Sequence, residues 1–167
     1  ININEPFQGL FTQGMVTHQT YKSSEGNWLA PDEVIKENEN FVDLKNKNVS
    51  VGKIEKMSKS KKNVIDPSQT IDMYGADTAR WFMLSDSPPD RDLEWTERGV
   101  AASYKFINKI WDLNEKALDY KSVEDSGNST YIDEFDKIIN EIAENIEGFH
   151  FNKSVAKIYE YVNRLSS

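Results

Sequence analysis

The spacing of apolar positions changes twice along this chain. Residues 7 to 22, "FQGLFTQGMVTHQTYK", place Leu10, Phe11, Met15 and Val16 among polar residues, with Gly9 and Gly14 interrupting. That pattern predicts an extended segment, and glycines inside one mark places where something approaches the backbone closely. From Ser23 to Lys53 the turn clusters "SSEGNW", "ENEN" and "KNKN" separate the short apolar pieces "EVI", "FVDL" and "VSVGKI". Such alternation predicts β-hairpins with little core of their own. Helical spacing takes over after residue 62. Asp66 is placed to cap a helix, with Pro67 at its first position and Gln69 as a capping-box partner. Gly75 is placed to end it, Asp77 to open "TARWFMLS", and Pro88-Pro89 to close that segment.

Beyond Trp95 the reading is helical throughout. Thr96 caps a segment with Val100, Tyr104, Ile107, Trp111 and Leu118 on one stripe. A polar loop, "VEDSGNST" (123 to 130), separates it from a second stripe of Ile132, Phe135, Ile138, Ile142 and Ile146. Asn152 then caps a third helix carrying Val155, Ile158, Val162 and Leu165. These stripes are expected as packing faces of an antiparallel bundle. No internal repeat is visible.

Composition narrows the picture. At 167 residues the chain fits one domain or pieces of two. No apolar run approaches the roughly 18 residues that span a bilayer, and "ININEPFQGLFTQG" lacks the charged-then-apolar order of a secretory signal. With no cysteine, and histidine only at His18 and His150, disulfides and Cys-type zinc sites are excluded. A cytoplasmic location is the default expectation. The ends do not look like natural termini, so a fragment is expected.

Charge singles out one stretch. Residues 56 to 67 read "KMSKSKKNVIDP", and Lys56, Lys59, Lys61 and Lys62 lie together with no acid among them. The net charge of the chain is −8, so everything outside this island carries −12. A local basic island on an acidic protein points to a specific polyanion held in one place. Lysine runs are usually solvated loops, but Ser58 and Ser60 put hydroxyl donors between the ammonium groups here, and Met57 has no use in a solvated loop. Lysine is a compact, mobile point charge, suited to a phosphate whose charge moves during reaction. Such a loop could close over a triphosphate and stabilise a developing pyrophosphate. No Gly-x-x-x-x-Gly-Lys-Ser/Thr cradle occurs in the chain. Unanchored by apolar periodicity, the loop at 56 to 62 is expected to be mobile without nucleotide.

"KMSKS" at 56 to 60 matches the second signature of class I aminoacyl-tRNA synthetases. Together with "FTQGMV", "YGADTARWFML" (74 to 84) and "SPPDRDLEWTERGVAASYKFINKIW" (87 to 111), it makes nearly the whole chain resemble the bacterial type of leucyl-tRNA synthetase. The valine and isoleucine families resemble it too, but typically carry Leu-Gly where this chain has Lys61-Lys62. The resemblance implies a fold that is α/β plus all-α. It divides the chain into the end of a Rossmann-type catalytic domain (1 to 62), a helical connector (63 to 95) and the start of an anticodon-binding-type helix bundle (96 to 167). A leucine-specific-type β insertion would fall at about 19 to 55.

The implied reaction joins leucine and ATP to leucyl-adenylate, releasing pyrophosphate, and then passes the leucyl group to tRNA(Leu). Lys56 and Lys59 would contact the ATP phosphates, with Lys59 stabilising the transition state. Ser58 and Ser60 would shape the loop, and Met57 would pack beneath it as a hinge. Gly14, Met15 and Val16 would lie on a strand flanking the adenine pocket, although an ordinary core strand explains them as well. Mg2+ would accompany ATP, and the enzyme would act as a monomer, with no metal-ligating residues of its own in this chain. Asp77 and Arg80 are expected as a cap and an ion pair rather than ligands. The family's His-Ile-Gly-His-type signature and its editing domain are absent from these residues, so the piece alone is expected not to aminoacylate. Two other classes stay open. One is a non-catalytic RNA-binding helical module, although residues 96 to 167 are not basic; the other is an interaction domain with an incidental lysine loop.

Overall fold

The computed structural model describes residues 5–38, 40–119 and 129–166. Among the described residues there are six strands and five α-helices: five strands come first, then two helices, the short sixth strand and the last three helices. Strand β1 (Val16–Lys22) is the hub of a mixed sheet. Along one edge it pairs antiparallel with β5 (Ser50–Lys56), in a ladder running from Thr17 opposite Lys56 to Lys22 opposite Ser50. Its other edge is shared: β2 (Trp28–Leu29) pairs antiparallel at Tyr21 and Lys22, and β6 (Leu93–Glu94) pairs parallel at Val16 and Thr17. Strands β3 (Val34–Glu37) and β4 (Asn40–Asp43) make a separate hairpin.

The expected extended segment is therefore regular strand only from Val16 onward. The hairpin-rich stretch does have little core, since Val42 is its one buried hydrophobic residue among those described.

Helix α1 (Pro67–Tyr74) begins as the sequence requires: the Asp66 carboxylate accepts the Ser68 N–H at 2.9 Å, and Pro67 occupies the first turn. The cap bond goes to Ser68, and no capping box with Gln69 forms. Gly75 ends α1 and also opens α2 (Ala76–Ser85), the place expected for Asp77. Its φ of 83° is one an L side chain rarely adopts, and its carbonyl accepts the Ala79 N–H at 3.5 Å, the first hydrogen bond of the second helix. Thr96 does cap α3 (Glu97–Asp119), its hydroxyl accepting the Gly99 N–H at 3.1 Å. Most of the expected loop at 123 to 130 lies outside the described residues, and α4 runs Ser129–Glu147. Helix α5 (Phe151–Leu165) starts earlier than Asn152 predicts. The His150 carbonyl already accepts the N–H groups of Lys153 and Ser154, which moves the cap upstream.

The core gathers where sheet meets helices. Phe82, Leu93, Trp95 and Val100 are buried together, with Val16, Met57, Ile65 and Tyr74 packed around them. On α3 the buried face is Val100, Ser103 and Phe106, and the predicted stripe residues Trp111 and Leu118 are exposed. Small residues explain the rotation. A Cβ at Gly99 would lie 2.5 Å from the Phe82 ring, so α2 settles against this side. Helix α5 packs on both α2 and α4. The Ser154 hydroxyl donates to the Ile142 carbonyl at 3.1 Å, and the Trp81 indole N–H donates to Tyr159 Oη at 3.2 Å. Ile132 and Ile146 of α4, and Leu165 of α5, are exposed, so those stripes are packing faces only in part. No described helix is long and apolar enough to cross a membrane.

Candidate functional site

The basic loop leaves the sheet at the end of β5. The N–H of Met57 donates to the Val16 carbonyl at 3.1 Å, and its half-buried side chain packs on the core cluster, as expected for a residue seated beneath the loop. Ser58 is extended, and its hydroxyl accepts the Lys61 N–H at 3.3 Å, capping a single 3-10 turn over Lys59–Lys61. The Ser58 and Ser60 hydroxyls share a hydrogen bond of 2.9 Å. Lys62 then adopts a left-handed backbone, φ 53°, which returns the chain inward to Asn63. Asn63 is fully buried. Its Oδ1 accepts the Ser58 N–H at 2.9 Å, while Nδ2 faces the carbonyls of Glu55 (3.1 Å), His18 (3.2 Å) and Lys56 (3.4 Å).

This geometry corrects one expectation. The loop is not unanchored, because a buried amide and a core methionine hold its two ends. Nothing in apolar periodicity could reveal that, since the chief anchor is polar. The signal available was an uncharged Asn closing a lysine run just before Val64 and Ile65.

The four lysines divide into two kinds. Lys61 pairs with Glu55, and Lys62 pairs with Glu33 of the β2–β3 connection at 3.4 Å. Glu33 is itself held ionised. Chiefly the Ala30 N–H donating to it, and secondarily Lys62, keeps its carboxyl below the usual value. Lys56 and Lys59, by contrast, have no carboxylate within 4.0 Å among the described residues, and both are exposed. Two acids therefore neutralise the later lysines and leave the earlier pair as uncompensated positive charge, with the serine hydroxyls between and beside them. Such a group suits a polyphosphate.

The other predicted residues split. Val16 sits beside Met57. Gly14 and Met15 precede β1 and run along residues 89–93: the Gly14 N–H donates to the Pro89 carbonyl at 2.9 Å, and the Met15 N–H to Asp92 Oδ1 at 2.8 Å. A Cβ on Gly14 would stand 1.9 Å from the Arg91 carbonyl oxygen, so the close approach is by the protein's own backbone. Behind Met57 lies an apolar hollow of about 520 Å3, lined by Val16, Ile65, Met83, Leu84 and Trp95 among others. Asp77 and Arg80 form an exposed pair at 3.3 Å; Asp77 lies in the first turn of α2, and Gly75 takes the cap position expected for it.

Residues 45–96 match the family model of class I tRNA synthetases (I, L, M and V). That match contains the whole basic loop. Over 99% of its length the chain is 47% identical to the leucine–tRNA ligase of Zymomonas mobilis, and 48% identical to that of Rhizorhabdus wittichii. It spans 19% of each, about a fifth of the length of these relatives. Among solved structures, the LeuRS agnB2 of Agrobacterium radiobacter K84, in a ternary complex with tRNA and LeuAMS, superposes over 98% of this chain with a TM-score of 0.67. At 23% identity, and covering 18% of that chain, this likeness establishes the fold. By sequence the chain is thus similar to class I tRNA synthetases over residues 45–96, and over nearly its whole length to one segment of leucine–tRNA ligases.

Proposed function

We propose that this segment supplies the phosphate-handling loop of a leucine–tRNA ligase. In the whole protein the leucine carboxylate attacks the α-phosphate of ATP, giving leucyl-adenylate and pyrophosphate. The leucyl group then passes to a ribose hydroxyl of tRNA(Leu). One observation carries the reading: of the four lysines, those left without an acidic partner among the described residues are Lys56 and Lys59, the two within the signature. Their ammonium groups neutralise the charge that builds on the departing pyrophosphate. Ser58 and Ser60 hold the turn that presents Lys59. Met57 seats the loop on the core, and Val16, with Met15 and Gly14 before it, forms the adjoining wall of the ATP site.

Mg2+ arrives with the nucleotide as part of the substrate. Among the described residues no group of three or more His, Cys, Asp or Glu could hold a metal ion. The segments read as 1–62, the end of a Rossmann-type catalytic domain with its β insertion at about 19–55, then a connector at 63–95 and the start of a tRNA-binding bundle at 96–167. The enzyme works in the cytoplasm as a monomer.

The test is leucine-dependent pyrophosphate exchange by the full-length enzyme. Lys59→Ala should lower its kcat by about a hundred- to thousandfold, with a much smaller change in KM for ATP. Lys62→Ala, already compensated by Glu33, should change it far less. Equal losses at both positions would mean that the island acts only as diffuse positive charge.

A further inference from the structure

Asn63 lies outside the signature, carries no charge and is buried completely, yet its side chain touches three separate pieces of backbone. The His18 carbonyl belongs to β1, the Glu55 and Lys56 carbonyls to the end of β5, and the Ser58 N–H to the loop itself. The chemistry fixes the orientation of the amide. Turning it over would set oxygen against carbonyls and NH2 against an N–H, losing every bond.

From this side chain the contacts run on in a closed circuit. Asn63 holds the Ser58 N–H, the Ser58 hydroxyl holds the Lys61 N–H, and the left-handed Lys62 brings the chain back to Asn63. Lys59 rides on the turn inside that circuit, and Lys56 is at its entrance. Both ends of the turn are thus referred to one buried side chain that is hydrogen-bonded to the sheet.

We infer that Asn63 is the positioning residue for Lys56 and Lys59, fixing where their ammonium groups stand relative to the leaving phosphates. The inference rests on the proposed function. A group that acts on charge in a transition state must be held to within about 0.5 Å, and a misplacement of about 1 Å can cost on the order of a hundredfold in rate. Long lysine side chains cannot supply that precision themselves, so the backbone carrying them must. Neither Ala nor Asp can replace the amide. Ala leaves the Ser58 N–H and the strand carbonyls without their partner. Asp retains an acceptor for Ser58 but turns a second acceptor on the carbonyls of Glu55 and His18.

The experiment uses the full-length enzyme and separates its two half-reactions. Pyrophosphate exchange requires the phosphates to be handled, whereas transfer to tRNA from added leucyl-adenylate does not. Asn63→Ala and Asn63→Asp should each lower kcat for exchange by roughly 10- to 100-fold, with KM for ATP changed less than about threefold and transfer within about twofold of the parent. A residue that merely supported the fold would lower both half-reactions together, and that result, or unchanged exchange, overturns the inference. If the Asn63 variants do not fold, Ser58→Ala cuts the next link of the circuit without baring strand carbonyls, and the same split between half-reactions is expected, smaller in size. Lys59→Ala is run alongside. Its failure to slow exchange would remove the proposed function and this inference together, whereas a slow Lys59→Ala beside a normal Asn63→Ala would overturn the inference alone.

Discussion

The N–H of Met57 donates to the carbonyl of Val16 across 3.1 Å, and the side chains of both residues pack against the same buried cluster of Phe82, Leu93, Trp95 and Val100. One hydrogen bond and one shared core therefore join the basic loop to the strand at the centre of the sheet. The helices belong to the same unit, because Phe82 comes from α2 and Val100 from α3. Lys56 and Lys59 are exposed to solvent on a base that is part of the core.

Shortening Met57 should loosen that base. Met57→Ala removes a half-buried side chain from the edge of the cluster, and is expected to cost about 1–3 kcal/mol of stability, below the range for fully buried methionines. Met57→Leu, close in volume, should cost less than about 1.5 kcal/mol. Denaturant unfolding of the three proteins checks the order, and a Leu variant as unstable as the Ala variant would show that shape rather than volume matters here.

Gly14 gives a sharper case. The backbone of residues 91 and 92 fills the space where its side chain would be, with the Arg91 carbonyl oxygen 1.9 Å from an added Cβ. Backbone cannot swing aside as a side chain does. Gly14→Ala should therefore part residue 14 from the 89–93 strip, straining the bonds from Gly14 to Pro89 and from Met15 to Asp92. The expected loss is about 1–3 kcal/mol, read as a lower unfolding midpoint. An unchanged midpoint would mean that the close approach is dispensable.

How much of this could be read from the chain depends on where each interaction comes from. The caps at Asp66 and Thr96 are local, each spanning two or three residues, and they stand as the sequence predicts. The helical stripes were legible as helices but not as faces. Which side of α3 is buried depends on Gly99 admitting the Phe82 ring, and a count of apolar positions gives a glycine no weight. The basic loop was conspicuous by charge. Its compensation was not, because Glu33 and Lys62 are 29 residues apart and meet only after the hairpins have folded. Asn63 was overlooked for a related reason: its four contacts are all to backbone, which a sequence does not display.

Glu33 should also make the protein sensitive to acid. Its carboxylate accepts the Ala30 N–H at 2.8 Å and faces Lys62, and these contacts place its folded-state pKa below the ordinary 4.5. For a lowered carboxyl pKa, the stabilisation is fully present above the unfolded value. It is lost as pH falls from there through the folded value. Glu33→Gln should remove that share of the acid dependence and leave stability near pH 7 only slightly reduced, since the pair is partly exposed and solvent screens it. Observing the Glu33 carboxyl by NMR during an acid titration checks the sign, and a midpoint above 4.5 would contradict it.

The last prediction concerns how α5 is held. The Trp81 indole N–H on α2 donates to Tyr159 Oη on α5 at 3.2 Å, while the Tyr159 ring also packs at 3.6 Å between centroids on Phe106 of α3. Tyr159 thus ties three helices, by a hydrogen bond to one and by ring contact to another. Tyr159→Phe keeps the ring and removes only the hydroxyl. Trp81→Phe removes the donor and part of the ring area. If the hydrogen bond couples the two positions, the double variant should be less destabilised than the sum of the single variants by about 0.5–1.5 kcal/mol, the net value of one such bond. The Tyr159→Phe variant alone should lose about 1 kcal/mol, while Tyr159→Ala should lose several times more by emptying the space against Phe106. Equilibrium unfolding of the four members of the cycle measures the coupling. Additivity to within about 0.3 kcal/mol would show that α5 is held on α2 by ring packing alone.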